Sequence, residues 1–358
     1  MTHGGPIKVV IVDDSAVVRK LLADALSGDP DIRIVGSAAD PFIARDLILQ
    51  HNPDVITLDV EMPRMDGLSF LRRIMEHRPM PVIVVSSITQ RGSAASVEAL
   101  RLGAIDVIAK PGGPGSVGFV AEEIKRRIRG LRLGPALQLK RLTAESHPAP
   151  APRAVRSAAS YKGAIVLVGA STGGTQAIEA LLTRLPADIP PMLIVQHMPP
   201  LFTKAFAERL DRTCAMRVIE AAGGEPVEPG TVYIAPGDHH LVVERHGLKL
   251  KTALRDGPPV HYQRPAVDVL FHSAARLQGI PMVAAILTGM GADGADGMVA
   301  LRQAGAETLA EDEQSCVVFG MPKEAIARGG ACHVVTLFQM PAMILECLDR
   351  VTAHAATR

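Results

Sequence analysis

Tryptophan is absent from the 358-residue chain, and aromatic residues make up only 3% of it. A surface that stacks bases or sugar rings needs such side chains, so their scarcity argues against one. The four cysteines, Cys214, Cys316, Cys332 and Cys347, form no CxxC pair and no metal-ligand spacing. The expectation is a reduced, cytoplasmic chain without a disulfide framework. An excess of one charge is also missing. Lys and Arg number 38 against 37 Asp and Glu, a net charge of +1, so no nucleic-acid partner is expected. No apolar run is long enough to span a bilayer, and no membrane insertion is expected. The start, MTHGGPIKVVIVDDS, lacks the basic leader and apolar core of a signal peptide. What is present is hydrophobic content of 47%, ample for packed cores, on a length that suggests two domains.

The first stretch alternates β-rich runs at 8–12, 32–35, 55–58, 82–85 and 107–108 with amphipathic stretches such as 16–26 and 68–77. Regular alternation implies a parallel sheet with helices on both faces. From 134 to 161 the pattern fails among Pro135, Pro148, Pro150 and Pro152, which reads as an extended linker. Alternation resumes at Ala164, with runs at 165–168, 192–195, 231–235 and 283–287 and another expected near Val317. A hairpin is expected from 241–244, a turn at His246-Gly247, and 248–251. The division expected is thus 1–130, a linker over 131–162, and a second domain over 163–350. Both domains are α/β, the second doubly wound and mostly parallel.

Acidic residues fall at strand ends of the first domain. Asp13 and Asp14 follow 8–12, and Asp59 follows 55–58. Parallel strands end on one edge, where ligands bind beside a topological switch point. Three carboxylates gathered there repel one another unless a cation joins them, and oxygen-only donors suit Mg²⁺. Ser86 and Lys110 end the fourth and fifth runs and reach the same edge. Such a site can take a phosphoryl group onto an aspartate. Each acid alone could merely cap a helix; the joint order is harder to reach by chance.

In the second domain, Gly169-Ala170-Ser171-Thr172-Gly173 fits G-x-S-x-G between an expected strand and a helix at 175–185. That turn can expose a serine nucleophile, or cradle a phosphate with its backbone. A dinucleotide signature is incomplete, and no Gly-Lys-Ser/Thr follows, so a P-loop is excluded. By itself the turn leaves nucleotide binder and nucleophile equally open. His197 lies just past 192–195, and Asp293 just past 283–287. Serine, histidine and aspartate at three parallel strand ends can share one edge. Histidine can then deprotonate the serine, and a carboxylate can fix its tautomer. The order Ser171, His197, Asp293 is not that of the α/β-hydrolases. Rival groups are His239, His240 and His261, with Asp238, Asp268 and Asp296. An HH pair near an acid could bind metal, but no further ligand spacing supports that. Backbone N–H groups after Ser171 and in Gly289-Met290-Gly291 are candidates for an oxyanion hole. The basic run from Lys125 reads as the solvated face of the first domain's last helix, not a DNA-reading helix.

The segments "VDDS", "LDVEMPRMDGLSFL", "VVSS" and "IAKP", in order, resemble the flavodoxin-like (βα)5 receiver domain of response regulators. The resemblance implies Asp59 as phosphoacceptor and Mg²⁺ bound by Asp13, Asp14, Asp59 and the carbonyl of Glu61. Ser86 and Lys110 would contact the phosphoryl group. Val107 stands where many receivers carry an aromatic switch residue.

Further on, "VGASTGGTQAI", "VQHMPPLFT", "VYIAPGDHHL", "RPAVDVLFHSAA" and "LTGMGADGADG" resemble the chemotaxis protein-glutamate methylesterases, the CheB family. That resemblance implies a Ser171, His197, Asp293 triad, with Thr172 beside the nucleophile and Met290 donating to the oxyanion. It implies hydrolysis of glutamyl γ-methyl esters on chemoreceptors, with glutamine deamidation in many members. It further implies a histidine kinase as phosphodonor, no cofactor for ester hydrolysis, and a monomer. Fusion of the two domains raises the expectation that the unphosphorylated receiver blocks the triad edge until Asp59 is phosphorylated.

Overall fold

The computed structural model describes residues 5–62, 66–87, 89–110, 117–131, 161 and 163–356. Of the linker expected over 131–162, only Leu131 and Tyr161 fall among them. The chain divides into two compact units, Met1–His147 and Pro148–Arg358.

The first unit runs β1 (Ile7–Val12), α1 (Ala16–Ser27), β2 (Ile32–Ala38), α2 (Pro41–His51), β3 (Val55–Leu58), α3 (Gly67–His77), β4 (Val82–Ser86), α4 (Gln90–Arg101), β5 (Asp106–Ala109) and α5 (Val117–Gly130). The strands form one parallel sheet in the order β2-β1-β3-β4-β5. Strands β3 and β4 are buried at every position, as helices on both faces require. Helix starts are fixed by side-chain caps. Asp40 accepts from Phe42 and Ile43 amides, and Asp66 from those of Leu68 and Ser69. The basic stretch on α5 is not wholly solvated. Arg127 is buried, donating to Asp106 at 2.7 Å and pairing with Glu123 at 2.9 Å. A guanidinium enters a core when carboxylates meet its forked donors, and a charge count along the helix does not reveal that.

The second unit runs β6 (Ile165–Ala170), α6 (Gly174–Leu182), β7 (Met192–Gln196), α7 (Phe202–Thr213), β8 (Arg217–Glu220) and β9 (Thr231–Ile234). The hairpin β10 (His240–His246) and β11 (Lys249–Arg255) follows, then α8 (Val267–Ala275), β12 (Met282–Ile286), α9 (Ala295–Gln303) and β13 (Glu307–Glu311). The chain continues through α10 (Met321–Ala327), β14 (His333–Val335) and α11 (Met340–Ala356). Seven strands form a parallel sheet in the order β14-β13-β12-β6-β7-β9-β8. One face packs Leu167, Leu193, Phe271 and Met298 into a common core.

No strand forms at Val317. That segment is a loop joined to the sheet edge by the Gly289–Phe319 bridge, and the sheet continues instead through β13 and β14. The sequence of β13, ETLAE, has an acid at each end and so lacks the apolar run that marks a buried strand. The order of the sheet matters for function. After β6 the chain lays strands toward β7 on one side, then returns to place β12 on the other. The reversal falls between β6 and β12, where loops diverge and leave a crevice at the carboxyl edge.

Candidate functional site

Ser171 and His197 are each one residue past the paired positions Ala170 and Gln196 of β6 and β7. The His197 amide donates to the Ala170 carbonyl at 3.1 Å, extending the ladder to the histidine itself. Ladder spacing therefore fixes the two as neighbours on adjacent strands, about 4.8 Å apart at the backbone. On the other side of β6, the Ser171 amide donates to the Thr288 carbonyl at 3.0 Å. The serine is thus held between β7 and β12.

The turn around it needs its glycines. Gly173 has φ 78° and caps α6 from the left-handed region, and a side chain there would meet Val317. A Cβ on Gly289 would lie 2.8 Å from the Ser171 Cβ. This is close backbone approach around a serine.

His197 is 3% exposed and Asp293 2%. Asp293 Oδ2 lies 2.7 Å from His197 Nε2. The same carboxylate accepts the Val267 amide at 2.7 Å and the Asp268 amide at 2.9 Å, the first two residues of α8. It therefore sits on the positive end of that helix. Burial pushes the Asp293 carboxyl up, but His197 and the two amides outweigh it and hold it below the usual aspartate value. An ionised Asp293 makes Nε2 the protonated nitrogen of a neutral imidazole. That leaves Nδ1 with its lone pair free, and Nδ1 is buried without a hydrogen-bond partner.

Three further groups support this arrangement; Thr288 carries no signature in the sequence, and Asp268 stands there only as a rival carboxylate. Gln196 is buried, and its Nε2 donates to the Ser171 carbonyl at 2.9 Å and the His197 carbonyl at 3.1 Å. Thr288 Oγ1 donates to the Thr172 carbonyl at 3.0 Å. Asp268 accepts from the Gly297 amide at 2.7 Å, tying α8 to α9, and pairs with His261 at 3.0 Å. Burial, with the nearby Asp293 charge, pushes the Asp268 carboxyl up. Gln196 alone had a cue, its place before His197. Met290 follows Gly289 in the β12 loop, half-buried, and its amide has no acceptor among the described residues.

Four of the rival groups, His239, His240, Asp238 and Asp296, are engaged elsewhere. His240 is buried, with Nε2 on the Pro258 carbonyl at 3.1 Å and Nδ1 accepting the Ala266 amide at 3.1 Å. His239 pairs with Asp256, Asp238 with Arg264 and Asp296 with Arg328. The HH pair thus has no shared opening toward a metal.

In the first unit, Asp13 and Asp59 are buried and Asp14 is exposed, and their carboxylates lie within 4.8 Å of one another. Lys110 reaches both buried acids, Asp13 at 2.9 Å and Asp59 at 2.8 Å. Burial pushes the Asp13 carboxyl up, helped by the Asp59 charge and opposed by Lys110. Burial lowers Lys110 in turn, but its two acids outweigh this and raise it. Three acids against one ammonium leave an excess of hard oxygen donors, which fits a small divalent cation. Ser86 is buried at the end of β4, and its carbonyl accepts the Lys110 amide at 2.7 Å. Glu61 donates its amide to Asp59 Oδ1 at 3.0 Å.

Comparison with known proteins agrees with this layout. The family model described as CheB methylesterase matches residues 166–344, and the response regulator receiver domain matches 9–117. A protein-glutamate methylesterase/protein-glutamine glutaminase of Methylobacillus flagellatus is 50% identical, covering 98% of this chain and 99% of that protein. One from Syntrophus aciditrophicus is 49% identical over 92% of this chain and 96% of its own. The crystal structure of the Thermotoga maritima CheB methylesterase catalytic domain matches with a TM-score of 0.50 and 43% identity, covering 51% of this chain and 98% of that one. The chain therefore belongs to the CheB methylesterase family, with a response regulator receiver domain ahead of its catalytic unit.

Proposed function

We propose that this protein hydrolyses glutamyl γ-methyl esters on chemoreceptors to glutamate and methanol, through Ser171, His197 and Asp293. The relatives' names also carry glutamine deamidation, the same acyl transfer with ammonia leaving. The observation that carries the reading is the state of His197. One nitrogen is fixed on Asp293 at 2.7 Å, and the other is buried, unpartnered and one strand from Ser171.

The chemistry follows from those positions. His197 Nδ1 takes the proton from Ser171 Oγ, and Oγ attacks the ester carbonyl carbon. Asp293 stabilises the imidazolium across Nε2. The Met290 amide donates to the oxyanion. The tetrahedral intermediate collapses, the carbon–methoxide bond breaks, and methanol leaves with the proton from Nδ1. Water, deprotonated by the same nitrogen, then attacks the acyl-serine. Ser171 Oγ departs with that proton, and the glutamate carboxylate is released. No cofactor enters these steps.

The receiver unit, taken as 1–130 and joined through 131–162 to a catalytic unit over 163–350, sets when this happens. Asp59 is the phosphoacceptor, and a histidine kinase is the donor. Asp13, Asp14, Asp59 and the Glu61 carbonyl would hold Mg²⁺, which supplies positive charge for phosphoryl transfer. Lys110 and Ser86 then hold the phosphoryl oxygens. The protein works in the cytoplasm as a monomer on receptor helices; among the described residues no helix is long and apolar enough to cross a membrane. The deciding experiment is methanol release from methylated receptor membranes, with and without a small-molecule phosphodonor, in wild type and Asp59→Asn. Release that is absent, or that ignores the phosphodonor in wild type, would overturn the reading.

A further inference from the structure

We infer that Glu311 is a positioning residue for the nucleophile: its carboxyl fixes Thr288, and Thr288 fixes the backbone on both sides of the Ser171–Thr172 bond. The inference rests on Ser171 as the attacking residue. Glu311 ends β13 and is 0% exposed. Its Oε2 accepts the Thr288 amide at 2.8 Å. The Thr288 carbonyl accepts the Ser171 amide at 3.0 Å, and its Oγ1 donates to the Thr172 carbonyl at 3.0 Å. That hydroxyl also accepts the Val318 amide at 3.0 Å, which draws in the loop whose carbonyl holds the Gly289 amide at 3.0 Å. Gly289 is the residue pressed against Ser171. A single side chain thus braces the nucleophile's turn and the neighbouring loop that carries Met290.

Glu311 has no ion-pair partner among the described residues, and Ser315 and Cys316 hydrogen-bond its carboxyl beside the Thr288 amide. The titratable groups facing it are Asp312, an acid, and Cys316, whose thiol burial pushes up so that it stays uncharged. The adjoining strands bring Thr288 and Val335, which do not titrate. Burial pushes Glu311 up to about 7, against the pull of the Thr288 amide. Near neutrality Glu311 therefore changes charge, and the carboxylate holds the Thr288 amide more tightly than the neutral acid does. The rate constant kcat should rise on the alkaline side as Glu311 ionises and the brace tightens, while KM stays constant because no substrate contact changes.

The test is steady-state methanol release by the full chain on methylated receptor membranes, from pH 6 to 9, with a phosphodonor throughout. Glu311→Ala should lower kcat by about tenfold or more with KM within about twofold, because a misplaced nucleophile loses transition-state binding only. Glu311→Gln, which keeps an oxygen for the Thr288 amide, should recover most of that loss. Its ratio of kcat at pH 8.5 to kcat at pH 6.5 should fall below that of wild type by about threefold or more, because an amide cannot ionise. Retention of kcat in Glu311→Ala, or superimposable pH profiles for Glu311→Gln and wild type, would overturn the inference. Should Glu311→Ala fail to fold, the Glu311→Gln profile decides. Ser171→Ala separates the two readings. If it remains active, the nucleophile assignment fails; if it is dead while the Glu311 variants behave as wild type, only the brace fails.

Discussion

Asp293 Oδ2 sits 2.7 Å from His197 Nε2 and, at the same distance, from the Val267 amide at the start of a helix. One carboxylate orients the histidine and anchors α8, so the proposed catalysis and the stability of the unit converge on it. Replacing it should damage both.

Asp293→Asn should lower kcat by up to about 10⁴-fold, because an amide can present its N–H and favour the wrong imidazole tautomer. It should also cost about 1–2 kcal/mol at pH 7, from a lost charge at a helix N-terminus and weaker acceptance of two amides. The Asp293 carboxyl titrates below its ordinary 3.8 when folded. Its contribution is thus complete above that value and is lost as pH falls through the folded value. Urea melts of wild type and Asp293→Asn should differ at pH 7, and the difference should shrink as pH falls through the folded value of Asp293.

Ser171→Ala should reduce methanol release by about 10³-fold or more while far-UV circular dichroism and melting temperature stay near wild type. The side chain removed is small, and the backbone bonds of Ser171 to Thr288 and Gln196 remain. A serine-directed acylating probe should label wild type and not the variant.

Asp59→Asn should abolish the response to a phosphodonor and leave the unstimulated rate within about twofold of wild type. Acyl-phosphate formation, read by loss of label under alkaline conditions, should vanish with it. A stimulated Asp59→Asn would place the phosphoacceptor elsewhere.

Glu311→Gln should change stability as well as rate. The folded-state value of about 7 stands above the ordinary glutamate value of 4.5. The folded protein therefore binds the extra proton between those values, and wild-type stability falls as pH rises across that window. The variant lacks this loss, so its advantage should grow by about 3 kcal/mol from pH 4.5 to pH 8. Equal pH dependence in chemical melts of both proteins would contradict a buried, titrating Glu311.

Arg127→Met should destabilise the receiver unit by about 3 kcal/mol, since Asp106 and Glu123 would lose the buried guanidinium between them. The pair lies at 2.7 Å with both side chains nearly buried. The double variant with Asp106→Leu should recover much of that loss, as an apolar pair often replaces a buried ion pair without penalty.

The sequence by itself determined the strand-end chemistry. Parallel strands finish on one edge whatever their order, so a serine, histidine and aspartate just past three apolar runs share that edge, as do Asp13, Asp59 and Lys110 in the other unit. Only the tertiary structure decided which groups meet. Strand order is set by long-range packing, and it puts β6 between β7 and β12, so that Ser171 is flanked by His197 and Thr288. The choice of Asp293 over Asp268 and Asp296 depends on where α8 begins and α9 turns, which no local pattern encodes. Glu311 was hidden for a related reason. A glutamate at the end of ETLAE reads as a solvated strand terminus, and its burial arises because β14 and the 312–320 loop close over it. Arg127 shows the same limit on α5, where helical charge spacing cannot report a carboxylate arriving from β5. Periodicity records which face a residue occupies; the partners it finds there come from segments distant in the chain.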